Sequence, residues 1–304
     1  MSFLALAIVF VLEQLQPLDY TRWIKRPFAA WLDFLERNGN AGDSRHGVLV
    51  VAIAVGLPFL AVLALYWGAA EAGAFPAFLL AVVVLYGVMG FRQFSHFYTD
   101  IQTALRMEDP ARALALLAEW RGESLSRHGT PDIARIAIET ALVAAHRHVF
   151  AVLLWFVLLG PAGAVLYRVS HLCAELLFER RRPEDSILFH VARQWFAIME
   201  WLPARVTAAV FAVVGNFEDA LYCWRTLAPR WRDRAQGIVL ASGAGALGVR
   251  LGFAVFEDEE DDEASVTGEV ADLEFMQSAI GLVWRAIALW LLLLLVLGLV
   301  RLTG

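Results

Sequence analysis

The strongest candidate for a binding site is the stretch from Glu200 to Arg225, which reads EWLPARVTAAVFAVVGNFEDALYCWR. Arg205 follows Glu200 and a proline, and a run of apolar residues comes next. A planar guanidinium matches the geometry of phosphate and carboxylate, so Arg205 beside a membrane would suit an anion. An anion such as phosphate is the expected ligand. The alternative is that Glu200 and Arg205 form a local ion pair or lie at the ends of helices.

Three further charged residues are candidate binding groups. Glu218 and Asp219 follow Asn216, where carboxylates either cap a helix or hold a cation. The cap is the more ordinary role. Arg250 lies in the Gly-rich apolar run GIVLASGAGALGVRLGFAVF, so it must find a partner or reach the membrane interface.

Arg135 and Glu139 are four residues apart in a helical pattern. This spacing predicts an intrahelical salt bridge. The alternative is that the two residues bind a ligand. His146 and His148 stand beyond them, but residues two apart on a helix point in different directions. We therefore expect no metal site there.

The chain carries no Walker A loop, GxGxxG fingerprint, nucleophile elbow or zinc-binding spacing. Its GAGALG glycines follow no predicted strand, which favours close helix packing as their role. Cys173 and Cys223 lie in apolar surroundings and are expected to be inert buried thiols. No residues can be assigned a catalytic role from motifs alone.

The composition is that of a membrane protein. Of the 304 residues, 59% are apolar and 18% are charged, against about 45–50% and about 25% in soluble domains. The net charge of -6 owes much to the acidic run EDEEDDE, within an expected loop at residues 257–274. Because the rest of the chain is not strongly basic, nucleic acid is not an expected partner. The expected partner is the lipid bilayer.

The first part of the chain predicts surface helices and two membrane spans. The first apolar run, MSFLALAIVFVLEQL, is short for a span and suggests a re-entrant or tilted segment. Residues 14–46 are polar and basic, and they contain a predicted amphipathic helix that ends at Asn38-Gly39 and could lie on the membrane surface. Residues 47–69 and 75–91 predict spans. Basic residues flank this pair of spans, which indicates that residues 14–46 and the chain from Arg92 onward are cytoplasmic.

Residues 92–148 predict three cytoplasmic amphipathic helices, two of which start at Asp109-Pro110 and Thr130-Pro131. Residues 149–169 are apolar but broken at Gly160-Pro161, which allows a kinked span or a re-entrant hairpin. The basic run Arg180–Arg182 favours the hairpin, because charge then stays on one side.

The remaining apolar segments differ in length. Residues 203–215 are too short for a separate span and predict a half-buried segment at the membrane surface. Residues 280–300 predict the last span. We therefore expect an all-α polytopic integral membrane protein, a single domain over 1–304 with amphipathic cytoplasmic or interfacial helices and re-entrant segments.

Several stretches resemble the CobD/CbiB membrane proteins of cobalamin biosynthesis, and they occur in the family's order over most of the chain. These stretches are IARIAIET at 133–140, LLWFVLLGPAGAVLYR at 153–168, WLPAR at 201–205 and GALGVRLG at 245–252. The resemblance implies an enzyme that joins an aminopropanol phosphate group to adenosylcobyric acid. The amide bond would form at the expense of ATP, so ATP and Mg²⁺ are implied only if that activity is retained.

The chain departs from the family pattern at several polar positions. Thr140 replaces a serine, and Val143 and Ala144 stand where a Glu and an Asn are expected. Arg147 and His148 replace Asp-Gly. His171, Ala174 and the WRDRA stretch at 231–235 also differ from the family residues, and the N-terminal GDP and PHP signatures are missing.

These departures favour a relative of the same superfamily, the inner-membrane protein AmpE, which is associated with regulation of β-lactamase induction. The chain is similar to AmpE in its W-x-P-x-R stretch and in the aromatic-ended segment after it. The resemblance therefore leaves two functions open. One is a regulatory or sensing protein of the bacterial inner membrane that binds a phosphorylated or cell-wall-derived anionic small molecule. The other is a divergent adenosylcobinamide-phosphate synthase.

Overall fold

The computed structural model describes residues 2–16, 18–39, 44–123, 129–179, 187–252 and 268–303. The predicted acidic run and the Arg180–Arg182 cluster lie outside these residues. The described chain is α-helical, without a named β-strand, as the sequence predicted. Its α-helices are α1 (Ser2–Leu15), α2 (Arg26–Gly39), α3 (Ser44–Ala72), α4 (Ala74–Val88), α5 (Phe91–Arg106), α6 (Pro110–Arg121), α7 (Thr130–Ala145), α8 (Ala151–Glu179), α9 (Ile187–Val214), α10 (Phe217–Thr226), α11 (Arg234–Leu247) and α12 (Leu273–Thr303).

Four described segments are long and apolar enough to cross a membrane: Gly47–Ala72, Thr130–Glu179, Ile187–Val214 and Leu273–Val300. The first and last contain the predicted spans 47–69 and 280–300. The predicted span at 75–91 is shorter than expected, because α4 has only 15 residues. A helix of that length covers about 22 Å, less than the roughly 30 Å of a hydrocarbon core. It stops where Met89 turns to an extended backbone.

The chain divides into two compact units. The first contains Met1–Gly90, Ala151–Leu202 and Leu297–Gly304, and the second contains Phe91–Phe150 and Pro203–Val296. In the first unit α3 packs along α8, while α4 packs against α1 and α3. In the second, α5 packs on α6 and α7, and α10 lies against α11.

The sequence predicted the helix ends well where local chemistry sets them. The surface helix α2 ends at Gly39, as expected. Asp109 caps α6 by accepting a hydrogen bond from the Arg112 N–H at 2.9 Å. The helix α7 also begins at Thr130, although its N-cap is Gly129 and carries no side-chain cap.

The segment at 149–169 turns back on itself at Gly160, as the hairpin alternative required. Gly160 has φ 68° and ψ -159°, a conformation that is essentially restricted to glycine. The hydrogen of Gly163 faces the Trp155 carbonyl so closely that a Cβ could not fit between them. Residues eight apart on a straight helix lie about 12 Å apart, so this contact requires a reversal of the chain.

The segment at 203–215 is not a separate short element, so this prediction was wrong. It continues the preceding amphipathic stretch to form α9, a helix of 28 residues. Pro203 lacks an N–H and leaves the Met199 carbonyl without its helical donor. In the first unit the indole Nε1 of Trp155 donates to that carbonyl at 3.2 Å. The helix therefore passes through the proline with its backbone satisfied.

Trp155→Phe should lower the free energy of unfolding by about 1–2 kcal/mol, because it leaves the Met199 carbonyl unpaired. Pro203→Ala restores the helical N–H, so the same Trp155 substitution should cost much less in that background. Thermal and denaturant unfolding in a mild detergent would measure both. An equal cost in the two backgrounds would show that Trp155 does not compensate for the proline.

Close packing of α10 on α11 depends on glycines. The hydrogen of Gly245 faces the Asp219 carbonyl and the Ala220 nitrogen, with no room for a side chain. A Cβ on Gly215 would lie 2.6 Å from the Cβ of Ala246. The predicted packing role of the GAGALG glycines is therefore confirmed for Gly245.

Gly245→Ala should destabilise the protein by about 1–3 kcal/mol, because the added methyl group forces α10 and α11 apart. Gly281→Ala is the matched control, since Gly281 lies within α12 and has open space where its Cβ would be. The control should be neutral or stabilise by up to about 1 kcal/mol through helix propensity. Equal unfolding midpoints for the two variants would contradict this packing.

Candidate functional site

The candidate site lies in the second unit and is built around the Glu139 carboxylate. The apolar face of α7 is buried, which places Arg135 and Glu139 together on its other side. Nη1 of Arg135 lies 3.2 Å from Oε1 of Glu139, and Nη2 lies 3.5 Å from Oδ1 of Asp132. The Arg135 and Glu139 side chains are 12% and 14% exposed, whereas that of Asp132 is 46% exposed. The predicted intrahelical salt bridge is present and largely shielded from water.

The same carboxylate is held from a distant part of the chain. The backbone N–H of Gly252 donates to Oε1 of Glu139 at 2.7 Å across 113 residues of sequence. A short hydrogen bond to an ionised acceptor is stronger than one between neutral groups. Glu139 therefore connects α7 to the segment GALGVRLG, and two stretches of the sequence resemblance meet at one oxygen atom.

The glycine segment reaches Glu139 through a defined turn. The helix α11 ends at Gly248, which adopts a left-handed conformation with φ 72°. Val249 then forms an isolated parallel bridge with Glu269. The Arg250 N–H donates to the Glu269 carbonyl at 2.9 Å, and the Glu269 N–H donates to the Gly248 carbonyl at the same distance. The turn is therefore held on both sides by backbone hydrogen bonds.

Arg250 finds a partner within this turn. Its Nε donates to the Gly268 carbonyl at 2.7 Å, and the residue is partly buried. The expectation that Arg250 must pair is met by a backbone oxygen. Arg250 lies two residues from Gly252, so the structure brings Arg135, Glu139 and Arg250 into one region of the second unit.

Trp231 forms one wall of the glycine segment. Gly252 has φ 84°, and the Trp231 ring occupies the space where a Cβ would project. A Cβ on Gly237 would lie 2.6 Å from the Cβ of the same tryptophan. Asp233 follows Trp231, caps α11 and lies 3.6 Å from Nη2 of Arg147. The WRDRA stretch thus supports the glycine turn, a role that its sequence did not suggest.

Glu218 and Asp219 belong to the first turn of α10. Asn216 is the N-cap, and its Oδ1 accepts from the Asp219 N–H at 3.3 Å. Its Nδ2 donates to Oδ2 of Asp219 at 2.6 Å. Both acids are exposed at the positive end of a helix dipole. Glu218 and Asp219 therefore belong to a capped helix start, as in the more ordinary of the two predicted roles. The backbone of Asp219 also contacts Gly245 in α11.

Glu200 and Arg205 occupy different environments along one helix. Both lie on the continuous helix α9, where residues five apart lie about 140° apart around the axis. Glu200 is 2% exposed and belongs to the first unit, while Arg205 is half-buried in the second. Neither residue is without an interaction partner.

The two histidines after Glu139 also have separate surroundings. The Nδ1 atom of His146 lies 2.9 Å from Oγ1 of Thr207, and the residue is 1% exposed. The ring of His148 lies beside that of Phe94. The described part of the chain contains no group of three or more His, Cys, Asp or Glu residues placed to hold a metal. Both cysteines are buried thiols, as predicted.

The arrangement is suited to binding an oxyanion beside a fixed carboxylate. Glu139 is held by a guanidinium and an amide, so its position is fixed. Asp132 is the more exposed and more distant partner of Arg135. A phosphate that displaced Asp132 could therefore bind Nη2 of Arg135 without disturbing Glu139. The sequence identified Arg135 and Glu139 but missed Gly252 and Trp231, which only the packing of distant segments brings to them.

Comparisons with known proteins identify the family of the chain. Residues 5–283 match the family profile described as CobD/Cbib protein. The chain is 32% identical over 276 residues to the cobalamin biosynthesis protein CobD of Stutzerimonas stutzeri, covering 88% of each chain. It is 34% identical over 178 residues to the protein of the same name from Chromobacterium violaceum, covering 57% of this chain and 55% of that one.

A probable cobalamin biosynthesis protein CobD of Methanothermobacter thermautotrophicus is 27% identical over 218 residues, which is 69% of this chain and 71% of that one. No solved structure matches the chain. These comparisons do not show the expected closeness to AmpE. The profile match over nearly the whole length, together with the apolar helices, shows that the chain is a membrane protein of the CobD/CbiB family.

Proposed function

We propose that the chain is a cobalamin-biosynthesis enzyme of the adenosylcobinamide-phosphate synthase type. The observation that carries this proposal is the contact between Glu139 and Gly252. Two stretches that resemble the family meet there, although 113 residues separate them in the sequence. This contact between two family-like stretches favours an active synthase over a non-catalytic relative. The names of the relatives point in the same direction.

The proposed reaction is formation of an amide bond between an aminopropanol phosphate group and adenosylcobyric acid, driven by ATP. Arg135 would bind a phosphate oxygen of the substrate in place of Asp132. Glu139 would keep the guanidinium in position and hold the turn at Gly252 against α7. Glu139 is a positioning residue in this scheme, because both of its known contacts are structural.

A magnesium ion would enter as part of the ATP substrate. Magnesium in such sites is held by one or two carboxylates together with substrate phosphates. Asp132 and Glu139 are both paired with Arg135, and the described residues contain no group of three or more His, Cys, Asp or Glu side chains placed to hold a metal. These residues do not fit a resident metal site, so no step is routed through one.

We further propose that the protein spans the bacterial inner membrane several times, with residues 92–148 on the cytoplasmic side. The basic residues before α3 and after α4 support this orientation. Phosphorylated substrates and ATP are available on that side. The second unit, which contains Glu139, would then face the compartment that supplies them.

Expression of the chain should restore growth to a strain that lacks the cobalamin synthase and depends on cobinamide synthesis. Glu139→Gln should lower the rate of product formation by about 10- to 100-fold, because it weakens two hydrogen bonds to a charged group. Asp132→Asn is the matched control and should retain or improve substrate binding, since it removes a competitor for Arg135. Growth and the accumulated corrinoid products would be measured at equal protein levels.

The alternative is a regulator of AmpE type. A wild-type chain that is inserted in the membrane but fails to restore growth, while altering β-lactamase induction, would support that alternative and overturn the enzyme. Equal activity of the Glu139→Gln and Asp132→Asn variants would retain the enzyme but remove the role proposed for Glu139.

A further inference from the structure

A second charged site lies in the first unit, apart from Glu139 and its partners. Arg168 projects from the part of α8 that follows the Gly160 turn, and only 1% of its surface is exposed. Among the residues that the structure describes, no hydrogen-bond partner is found for Nε, Nη1 or Nη2 of its guanidinium. A guanidinium keeps its positive charge in proteins, so burial cannot be relieved by loss of a proton. A buried charge without a partner strongly destabilises a fold.

The guanidinium lies against an aromatic ring. Its central carbon lies 4.2 Å from the centre of the Tyr20 ring. Burial raises the pKa of the Tyr20 hydroxyl above its ordinary value, although the charge of Arg168 opposes part of this rise. Tyr20 therefore stays neutral at physiological pH. A cation–π contact offsets part of the cost of burying Arg168, but it supplies no negative charge.

The nearby acids have other partners. Nζ of Lys25 lies 3.0 Å from Glu175 and 2.7 Å from Glu179. Nδ1 of His171 lies 3.6 Å from the second oxygen of Glu175. Burial lowers the pKa of Lys25, but its hydrogen bonds with Glu179 and Glu175 outweigh burial and raise the pKa overall. Lys25 therefore remains charged and keeps these two carboxylates occupied.

The surroundings of Tyr20 indicate which anion is available. The turn Thr21–Lys25 follows it directly, with Arg22 and Lys25 as its basic residues. Trp23 in this turn is 65% exposed, and Arg22 lies 5.8 Å from the centre of its ring. Exposed tryptophan beside basic residues is typical of the membrane–water interface, where lipid phosphates are abundant.

We propose that Arg168 binds a phosphate group next to the Tyr20 ring, as a second anion site of this protein. The phosphate belongs either to a lipid headgroup or to a soluble phosphate compound. Its oxygens pair with the guanidinium fork and neutralise the buried charge. Tyr20 covers the site and must move aside when the anion enters. The adjoining turn Thr21–Lys25 is a π-helical turn without a side-chain cap, a type of irregularity found often at functional sites.

The test uses the full-length protein, purified in a neutral detergent and freed of bound lipid until no phosphorus is detected. One arm adds sodium phosphate against sodium chloride at equal ionic strength. The other arm adds dioleoyl phosphatidic acid against dioleoylglycerol, which lacks the phosphate. The wild-type unfolding midpoint should rise by at least about 3 °C in one arm at saturation. The responding arm identifies the source of the phosphate.

Three variants assign the response to Arg168. Arg168→Met should abolish the rise, and it should fold, because replacing a buried unpaired charge by an apolar side chain is often neutral or stabilising. Arg168→Lys keeps the charge without the fork and should show less than half of the rise. Arg22→Met is the matched control from the exposed turn and should respond like the wild type.

The proposal is overturned if neither arm raises the wild-type midpoint, or if the Arg168→Met and Arg168→Lys variants respond like the wild type. It stands independently of the proposed enzyme activity. Glu139→Gln should retain the phosphate response, so failure at one site is distinguishable from failure at the other.

Discussion

The second unit depends on one carboxylate that is held from two directions. Glu139 pairs with Arg135 one helical turn earlier and accepts the Gly252 N–H from the far end of the chain. The first contact is local and follows from α-helical geometry. The second requires α11 to end where it does and the following residues to turn back toward α7. Gly248 and Gly252 provide that path, because each adopts a positive φ that other residues rarely tolerate.

Close packing of small residues sets the position of this turn. Gly245 allows α10 and α11 to approach each other, and Trp231 fills the space beside Gly252 and Gly237. These contacts are steric rather than electrostatic, so they fix distances without adding charge. Among Arg135, Asp132 and Glu139, Asp132 has the most exposed side chain. The exposed acid is the partner that an incoming anion can replace.

Local features of the fold were predictable from sequence, and long-range contacts were not. The start of α6 follows from Asp109-Pro110, and the turn in α8 follows from Gly160-Pro161, because glycine and proline act on their own backbone. The continuity of α9 through Pro203 was missed, since it depends on an indole that is 44 residues away in the chain. The contact of Glu139 with Gly252 was missed for the same reason. The family resemblance named both segments without indicating that they touch.

The central claim is that the site around Glu139 supports amide synthesis. The most direct measurement incubates the purified protein with adenosylcobyric acid, aminopropanol phosphate, ATP and Mg²⁺, and follows the corrinoid products by mass spectrometry. The account predicts a product that carries the new amide bond and that forms only when ATP is present. A folded, membrane-inserted protein that yields no such product under these conditions, at any substrate concentration, would contradict it.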